Sequence, residues 1–143
     1  MTTSPQKTIR WLGFAGLIPF AALALLMWRV DAGQQAVVAR ALAAYAATIV
    51  SFLGGVHWGI GFLQGDAAPD FHFAWGVVPA LVAWLALMLP DLMALPLLAV
   101  VLMACYAVDR KSYPAAGLSR WLPMRLQLTG VASLSCLLGA AAL

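Results

Sequence analysis

The chain has 143 residues, of which 64% are hydrophobic and 9% are charged, and its formal net charge is +3. An average soluble domain has about 25% charged residues, so this composition excludes a soluble globular protein and indicates a chain that lies in a membrane. Since a transmembrane helix needs about 20 mostly apolar residues, four or five spans fill residues 1–143 as a single transmembrane domain.

Apolar stretches separated by charged or turn-forming residues predict a bundle of five transmembrane helices. The predicted spans are residues 11–28, 41–63, 73–89, 92–108 and 126–143. The first run follows a polar start that contains Lys7 and Arg10. A cleaved signal peptide starts in the same way, but this run is longer than the usual apolar core of about 7 to 15 residues. The sequence therefore predicts an all-α membrane protein.

The distribution of Lys and Arg predicts the orientation, because short cytoplasmic loops retain positive charge during insertion. With the N-terminus in the cytoplasm, Arg29 and Arg40 lie outside and the other six basic residues lie inside. These six are Lys7, Arg10, Arg110, Lys111, Arg120 and Arg125. We expect a cytoplasmic N-terminus and an extracytoplasmic C-terminus in a bacterial inner membrane, since the leader is too short for a mitochondrial transit peptide. Topology and anionic lipid explain these charges, so no nucleic-acid partner is predicted.

Two predicted spans share a Gly-x-x-Pro pattern. It occurs at Gly16 to Pro19 in the first span and at Gly76 to Pro79 in the third. Proline removes a backbone donor and can kink a helix, so Pro19 and Pro79 are candidate hinges. One interpretation is an internal repeat of two helices followed by a fifth helix. The other is that Gly and Pro are frequent in membrane helices, and spans two and four show no matching pattern.

Small side chains recur every four positions along the second span. They are Ala39, Ala43, Ala47, Ser51, Gly55 and Gly59. In lipid such a strip lets two helix backbones approach closely and gain dispersion contacts. We therefore predict that span two is central and that Gly54, Gly55 and Gly59 are packing positions. The partner helix would belong to this chain, to a second copy or to another membrane protein.

His57 is the histidine that lies within a predicted span, where a polar side chain is costly unless it faces protein or water. His57 lies about seven residues from the inner end of its span, and on that same side span four ends at Asp109 and span five begins with Arg125 and Thr129, while Ser51 lies one to two turns deeper than His57. These five residues are a candidate functional polar cluster. The alternative is structural: His57 hydrogen-bonds across helices, and Asp109 and Arg125 form an interfacial ion pair of small energetic value.

Motifs for common chemistry are missing from the sequence. It contains no P-loop, no Gly-x-Ser-x-Gly elbow, no His-Glu-x-x-His motif and no Cys or His pair at metal-ligand spacing. A haem held by His57 and His72 is rejected, because His72 is predicted at the interface and away from the depth of His57. Cys105 and Cys136 differ in predicted depth by about 10 Å, which excludes a disulfide. No cofactor is predicted.

Several segments together carry a resemblance. They are Gly16-Leu17-Ile18-Pro19-Phe20, the nine residues from Ser51 to Gly59, Pro79 through Trp84, Asp109, and Arg125-Leu126-Gln127-Leu128-Thr129. In these segments the chain resembles a family of small multi-span inner-membrane proteins of unknown function that includes transmembrane protein sixty-nine. The resemblance covers nearly the whole chain and is most specific around His57. It implies a multi-span membrane protein and supplies no substrate, cofactor or catalytic residue.

Two functions are compatible with these features. Small size, few polar groups and the glycine strip favour an accessory or assembly protein that packs against a larger membrane complex. The alternative is a small carrier of a proton, a weak acid or an amphiphile, in which His57 titrates and Pro19 and Pro79 permit hinge motion. A membrane enzyme acting on lipid or quinone is a weaker third hypothesis, because no nucleophile or metal site is recognisable.

Overall fold

The computed structural model describes residues 4–143, and all regular structure in that range is helical. The α-helices are α1 (Pro5–Ala15), α2 (Leu17–Met27), α3 (Ala32–Gln64), α4 (Asp70–Ala86), α5 (Asp91–Ser112) and α6 (Leu122–Ala141). Because α2 continues the path of α1, the chain forms a bundle of five helical segments, as the sequence predicts. Four of these segments are long and apolar enough to cross a membrane, and α4 is shorter at 17 residues.

The first predicted span consists of two helices joined at Gly16. Pro19 has no N–H to donate to the carbonyl of Ala15, so the helical hydrogen bonding is interrupted at this point. The Tyr45 hydroxyl of α3 donates to the carbonyl oxygen of Gly16 at 2.7 Å. This hydrogen bond connects the junction of α1 and α2 to α3. No residue of α1 is buried, whereas α2 buries three side chains in the core. The first span is therefore firmly packed in its second half only.

The second Gly-x-x-Pro segment has a different backbone. Pro79 lies inside α4, which continues without a break from Asp70 to Ala86. The shared pattern therefore does not produce a shared structure in the two spans. A hinge at Pro79 stays a prediction.

The helices extend beyond the predicted spans, most clearly in α3. This helix has 33 residues and begins at Ala32 rather than near residue 41. At 1.5 Å per residue it is about 50 Å long, more than the roughly 30 Å of a bilayer's hydrocarbon core. Arg40, predicted at the edge of the span, lies within α3 instead. There it donates to the carbonyl of Leu87 at 2.9 Å and lies 3.1 Å from a carboxylate oxygen of Asp91.

α3 is the central helix and packs against α2, α4, α5 and α6. Its fully buried side chains include Leu42, Ala43, Ala46 and Val50, which meet large residues such as Leu95 of α5. The prediction that span two is central is confirmed. The alanines of α3 let its neighbours approach closely in the half of the bundle that contains Arg40.

The connections between helices lie at two ends of the bundle. At one end, the Trp28 indole donates to the carbonyl of Leu138, and the Gln35 amide donates to that of Ala142. The other end contains the α3–α4 and α5–α6 connections. The polar side chains of the interior gather near this second end.

Candidate functional site

Five polar side chains from four helices form one hydrogen-bonded cluster inside the bundle, which we call the buried cluster. It consists of His57 of α3, His72 of α4, Asp109 of α5, and Arg125 and Thr129 of α6. His57 has no exposed surface, and none of the five is more than 8% exposed. In a chain with 9% charged residues, an ion pair and two histidines thus share one interior position.

Asp109 is the centre of the buried cluster. Its Oδ1 lies 2.8 Å from Nε2 of His57. Its Oδ2 accepts hydrogen bonds from Nη2 of Arg125 at 2.7 Å and from Nε at 3.1 Å. Nη1 of Arg125 donates to the Thr129 hydroxyl at 3.2 Å. The charge of the carboxylate is therefore balanced by a guanidinium in direct contact, as burial of charge requires.

The two histidines extend the buried cluster toward the α3–α4 connection. Their Nδ1 atoms are 3.1 Å apart, so one donates and the other accepts. A carboxylate only accepts, which assigns a proton to Nε2 of His57 and, when this ring is neutral, a lone pair to its Nδ1. His72 then donates from Nδ1 and has its own lone pair on Nε2. The result is a continuous hydrogen-bonded path from Nε2 of His72 to Asp109.

Glycines bring the two histidines together. A Cβ on Gly54 of α3 would overlap the carbonyl oxygen of Gly76 of α4, so the two backbones touch at this level. One turn from there, the Trp58 indole donates to the carbonyl of Phe73 at 2.9 Å. Because α3 and α4 are antiparallel, this register places His57 and His72 side by side.

The predicted packing strip is divided between two faces of α3. Ala39, Ala43 and Ala47 are buried, whereas Gly55 and Gly59 are exposed, with nothing within 4 Å of a Cβ added to either glycine. A four-residue step advances about 400° around a helix, so such a strip drifts by about 40° per step. Gly54 packs within this chain as predicted. Packing through Gly55 or Gly59 stays a prediction that requires another chain.

Two sequence-based placements are wrong. Ser51 was predicted in the cluster, but its hydroxyl donates to the carbonyl of Ala47 in its own helix, at 2.9 Å. His72 was predicted away from the depth of His57, yet it is 5% exposed and in contact with that residue. The reason is that α4 begins at Asp70, so His72 lies in its first turn and faces α3. His57, Asp109, Arg125 and Thr129 do converge.

Tyr113 packs against the buried cluster on the side of the α5–α6 connection. It follows the last turn of α5, is 4% exposed, and has its ring centre 6.2 Å from that of His57. Burial and, to a smaller extent, the Asp109 carboxylate raise the pKa of its hydroxyl, Arg125 lowers it, and the net result is a pKa of about 12. A neutral phenol therefore shields the buried cluster at neutral pH.

Cysteines and metal-binding groups do not add a second site among residues 4–143. Cys105 and Cys136 are both buried, and neither forms a disulfide among the described residues. Within the same residues, no group of three or more His, Cys, Asp or Glu side chains is arranged to hold a metal ion. The buried cluster is consequently the principal concentration of polar chemistry in the described chain.

Comparison with known proteins gives one family. Residues 5–141 match the family described as Protein of unknown function (DUF3429). The chain is similar to Transmembrane protein 69 of Xenopus tropicalis, with 47% identity over 59% of this chain and 34% of the relative. It is also similar to Transmembrane protein 69 of Mus musculus, with 34% identity over 62% of this chain and 36% of the relative. The matches thus span about a third of the length of these relatives, and no solved structure matches.

Proposed function

This chain belongs to the Protein of unknown function (DUF3429) family of membrane proteins, and we propose that it is a small proton-linked carrier of a weak acid or an amphiphile. The observation that carries this proposal is the path His72–His57–Asp109–Arg125 inside the bundle. Imidazole exchanges protons near neutral pH, and a charged pair within a membrane protein commonly marks an ion or substrate path. The sequence alone favours an accessory role, whereas this path favours a carrier.

The path can accept one proton without breaking a hydrogen bond. A proton that binds Nε2 of His72 allows the Nδ1 proton of this ring to move to Nδ1 of His57. His57 then becomes an imidazolium whose Nε2–H still faces Oδ1 of Asp109, 2.8 Å away. The net charge of the two histidines, Asp109 and Arg125 changes from zero to +1. Tyr113 stays neutral throughout.

This added charge links proton uptake to anion binding. A single uncompensated charge in the interior of a membrane protein is costly. With His57 charged, the Asp109 carboxylate is bonded to two cations. The guanidinium of Arg125 can then bind a second anion in addition to Asp109. Binding of an acidic solute would then favour protonation, and protonation would favour binding, as reciprocal linkage requires.

We further propose that the buried cluster lies on the cytoplasmic side of a bacterial inner membrane. Support comes from the six basic residues assigned to the inner side, of which Arg110, Lys111 and Arg120 lie at the same end of the bundle as the cluster. The positive-inside rule favours the cytoplasm for this end. Protons and anions would enter from the cytoplasm and leave by a second conformation.

Transport in vesicles tests the carrier. Purified protein is reconstituted into phosphatidylcholine vesicles that contain a pH-sensitive dye, and dodecyl phosphate is added outside. We expect protein-dependent acidification of the interior, and loss of this rate in His57→Gln and His72→Gln, because an amide cannot take up the proton. Asp66→Asn, on the exposed α3–α4 connection, is the matched control and retains the rate. Absence of protein-dependent acidification, or native rates in folded histidine variants, contradicts the proposal.

An accessory role is the second candidate, and the open face at Gly55 and Gly59 is the observation that favours it. Both glycines leave space beyond the helix where another backbone could pack. Gly55→Leu would fill this space, and Gly130→Leu adds the same side chain at an open position on α6. Loss of a co-purifying membrane complex in the first variant alone supports this role. Crosslinking of Gly59→Cys to itself would instead indicate a second copy of this chain.

A further inference from the structure

A cavity of about 380 Å³ lies beside the buried cluster, between the first span and the helices α3 and α6. Small-molecule sites have volumes of about 300 to 1,000 Å³, so the cavity has the size of a small binding site. Its walls include Leu12 of α1, Phe20 of α2 and Ile49 of α3. The lining is apolar except at Arg125 and Thr129. The cavity and the buried cluster therefore share two residues.

The cavity is elongated along the helix axes. On α6 its lining extends from Met124 to Ala132, about 12 Å at 1.5 Å per residue. On the first span it extends from Ile9 to Phe20, about 16 Å on the same scale. Arg125 and Thr129 lie in the first two turns of α6, so the polar part is near the cluster end of the bundle and the remainder runs into the bilayer. This shape suits a chain with a polar head.

Arg125 determines which head group would bind. Its side chain makes three hydrogen bonds to Asp109 and Thr129, while a guanidinium has five N–H donors. Donors remain for a further acceptor, and the Thr129 hydroxyl can donate its own proton. A charge-assisted bond from a buried guanidinium favours an anion, and the same guanidinium repels a cation.

We propose that this cavity binds a single-chain amphiphile with an acidic head group, carboxylate or phosphate, whose head contacts Arg125 and Thr129 and whose chain lies between the first span and α6. This inference deepens the proposed carrier function and rests on it for its transport role. The site itself rests on the cavity and on Arg125. A cationic or uncharged amphiphile of the same length would lack the bond to the guanidinium.

Photolabelling in a bilayer tests the site directly. The protein is placed in phosphatidylcholine nanodiscs with dodecanoic acid that carries a diazirine on its chain, and labelled peptides are identified by mass spectrometry. We expect labels on the first span and α6. Competition by dodecanoate or dodecyl phosphate should be about tenfold stronger than by dodecanol or dodecyltrimethylammonium, because the acid gains a charge-assisted hydrogen bond. Equal competition by dodecanol would overturn the proposal, and the stronger of the two acids identifies the head group.

A pair of glycine variants separates the cavity from the lipid-facing surface. A Cβ on Gly13 of α1 would lie 3.4 Å from the methyl carbon of Met124, so leucine there fills the cavity. Gly13 belongs to a helix without buried residues, and this variant is therefore expected to fold. Gly130→Leu points into open space and is the control. We expect labelling to fall about tenfold in Gly13→Leu alone; an equal effect of both variants, or of neither, would overturn the site.

The two proposals fail in different ways. If labelling is absent while dye-detected proton uptake still depends on His57, the cavity is not the ligand site and the carrier proposal stands. If labelling follows the expected pattern without any transport, the cavity binds the amphiphile and the carrier proposal is overturned.

Discussion

The contact between Asp109 and Arg125 is the residue pair with the largest expected energetic weight. Both side chains are buried, so removal of one partner leaves the other charge without compensation, at a cost of about 3–5 kcal/mol. We therefore expect Asp109→Asn to lower the free energy of unfolding by this amount, although asparagine keeps the shape of the side chain. Unfolding in mixed micelles, followed by loss of helical circular dichroism, measures the change.

Asp91→Asn is the matched control for this prediction. Asp91 Oδ1 lies 3.1 Å from Nη2 of Arg40 in a partly exposed ion pair, with 15% of the Asp91 side chain and 47% of the Arg40 side chain exposed. Exposed ion pairs contribute about 0–1 kcal/mol. Arg40 also retains its bonds to the carbonyls of the α4–α5 connection in this variant. If Asp91→Asn and Asp109→Asn lower the free energy of unfolding equally, Asp109 and Arg125 do not behave as a buried charged pair.

The raised pKa of Tyr113 predicts that the folded protein loses stability at alkaline pH. Burial, together with the nearby Asp109 carboxylate, raises the pKa of its hydroxyl in the folded protein from the ordinary value of 10.0 to about 12. Above pH 10 the unfolded chain releases this proton first, so the contribution of Tyr113 to stability is complete below pH 10 and is lost between about pH 10 and 12. We expect the free energy of unfolding to fall by about 1.4 kcal/mol per pH unit in this window.

Tyr113→Phe removes the hydroxyl and keeps the ring, which makes it the direct comparison. The variant should lose less stability than the wild type between pH 10 and 11 in the same micelle assay. Parallel pH profiles of the two proteins would show that the buried phenol does not cause the alkaline loss.

The composition of the cluster was predictable in part. The predicted spans place His57, Asp109, Arg125 and Thr129 on the same side of the membrane, each within about two helical turns of a span end. His72 required the register of the α3–α4 hairpin. If the α3–α4 hairpin is folded at residue 65, position 73 lies opposite His57. The sequence could therefore have indicated that His72 lies close to His57. Ser51 was wrongly assigned to the cluster, because the hydroxyl of a serine in a helix can donate its hydrogen bond to a carbonyl of the preceding turn.

The α3–α4 pair is the element whose geometry positions the two histidines. A methyl group on Gly54 would overlap the backbone of Gly76, and a backbone cannot move aside as a flexible side chain can. We expect Gly54→Ala to destabilise the protein by about 1–3 kcal/mol, the usual range for overpacking. Gly55→Ala, one residue away in open space, should be neutral or stabilising by up to about 1 kcal/mol through helix propensity.

Both glycine variants can be compared by the same unfolding assay in micelles. A loss of stability in Gly55→Ala that equals the loss in Gly54→Ala would contradict the assignment of the close approach to the Gly54 face. It would indicate that the Gly55 face is packed as well, by a second chain.

The limits of the helices show what hydropathy can and cannot predict. An apolar stretch marks the part of a helix that lies in lipid, so residues 41–63 were recognised and the preceding turns of α3 were not. Those turns contain Gln35 and Arg40, which are compatible with helix and bond to neighbouring elements. The break at Gly16 has a local cause in Pro19, but the equivalent Pro79 leaves α4 continuous. Tertiary packing therefore determines whether a proline divides a membrane helix.

Across the whole molecule, packing is uneven in a way that suits the proposed site. α3, α5 and the second half of the first span are held by the apolar core, whereas α1 contributes no buried residue and forms one wall of the cavity. A loosely held wall next to an apolar cavity can move without disturbing the core. Entry of an amphiphile from the cytoplasmic leaflet would use this wall.

Orientation is the property of the whole molecule that a labelling experiment can decide. The positive-inside rule predicts that the α3–α4 connection lies inside and the start of α3 outside, because this orientation puts six basic residues in the cytoplasm and two outside. Asp66 of the first region and Gly33 of the second are both exposed, and each can be replaced by cysteine with Cys105 and Cys136 changed to alanine. In intact bacterial spheroplasts, a membrane-impermeant maleimide should label Gly33→Cys at once and Asp66→Cys only after permeabilisation. The reverse pattern would place the buried cluster, and with it the entry of protons through His72, on the extracytoplasmic side.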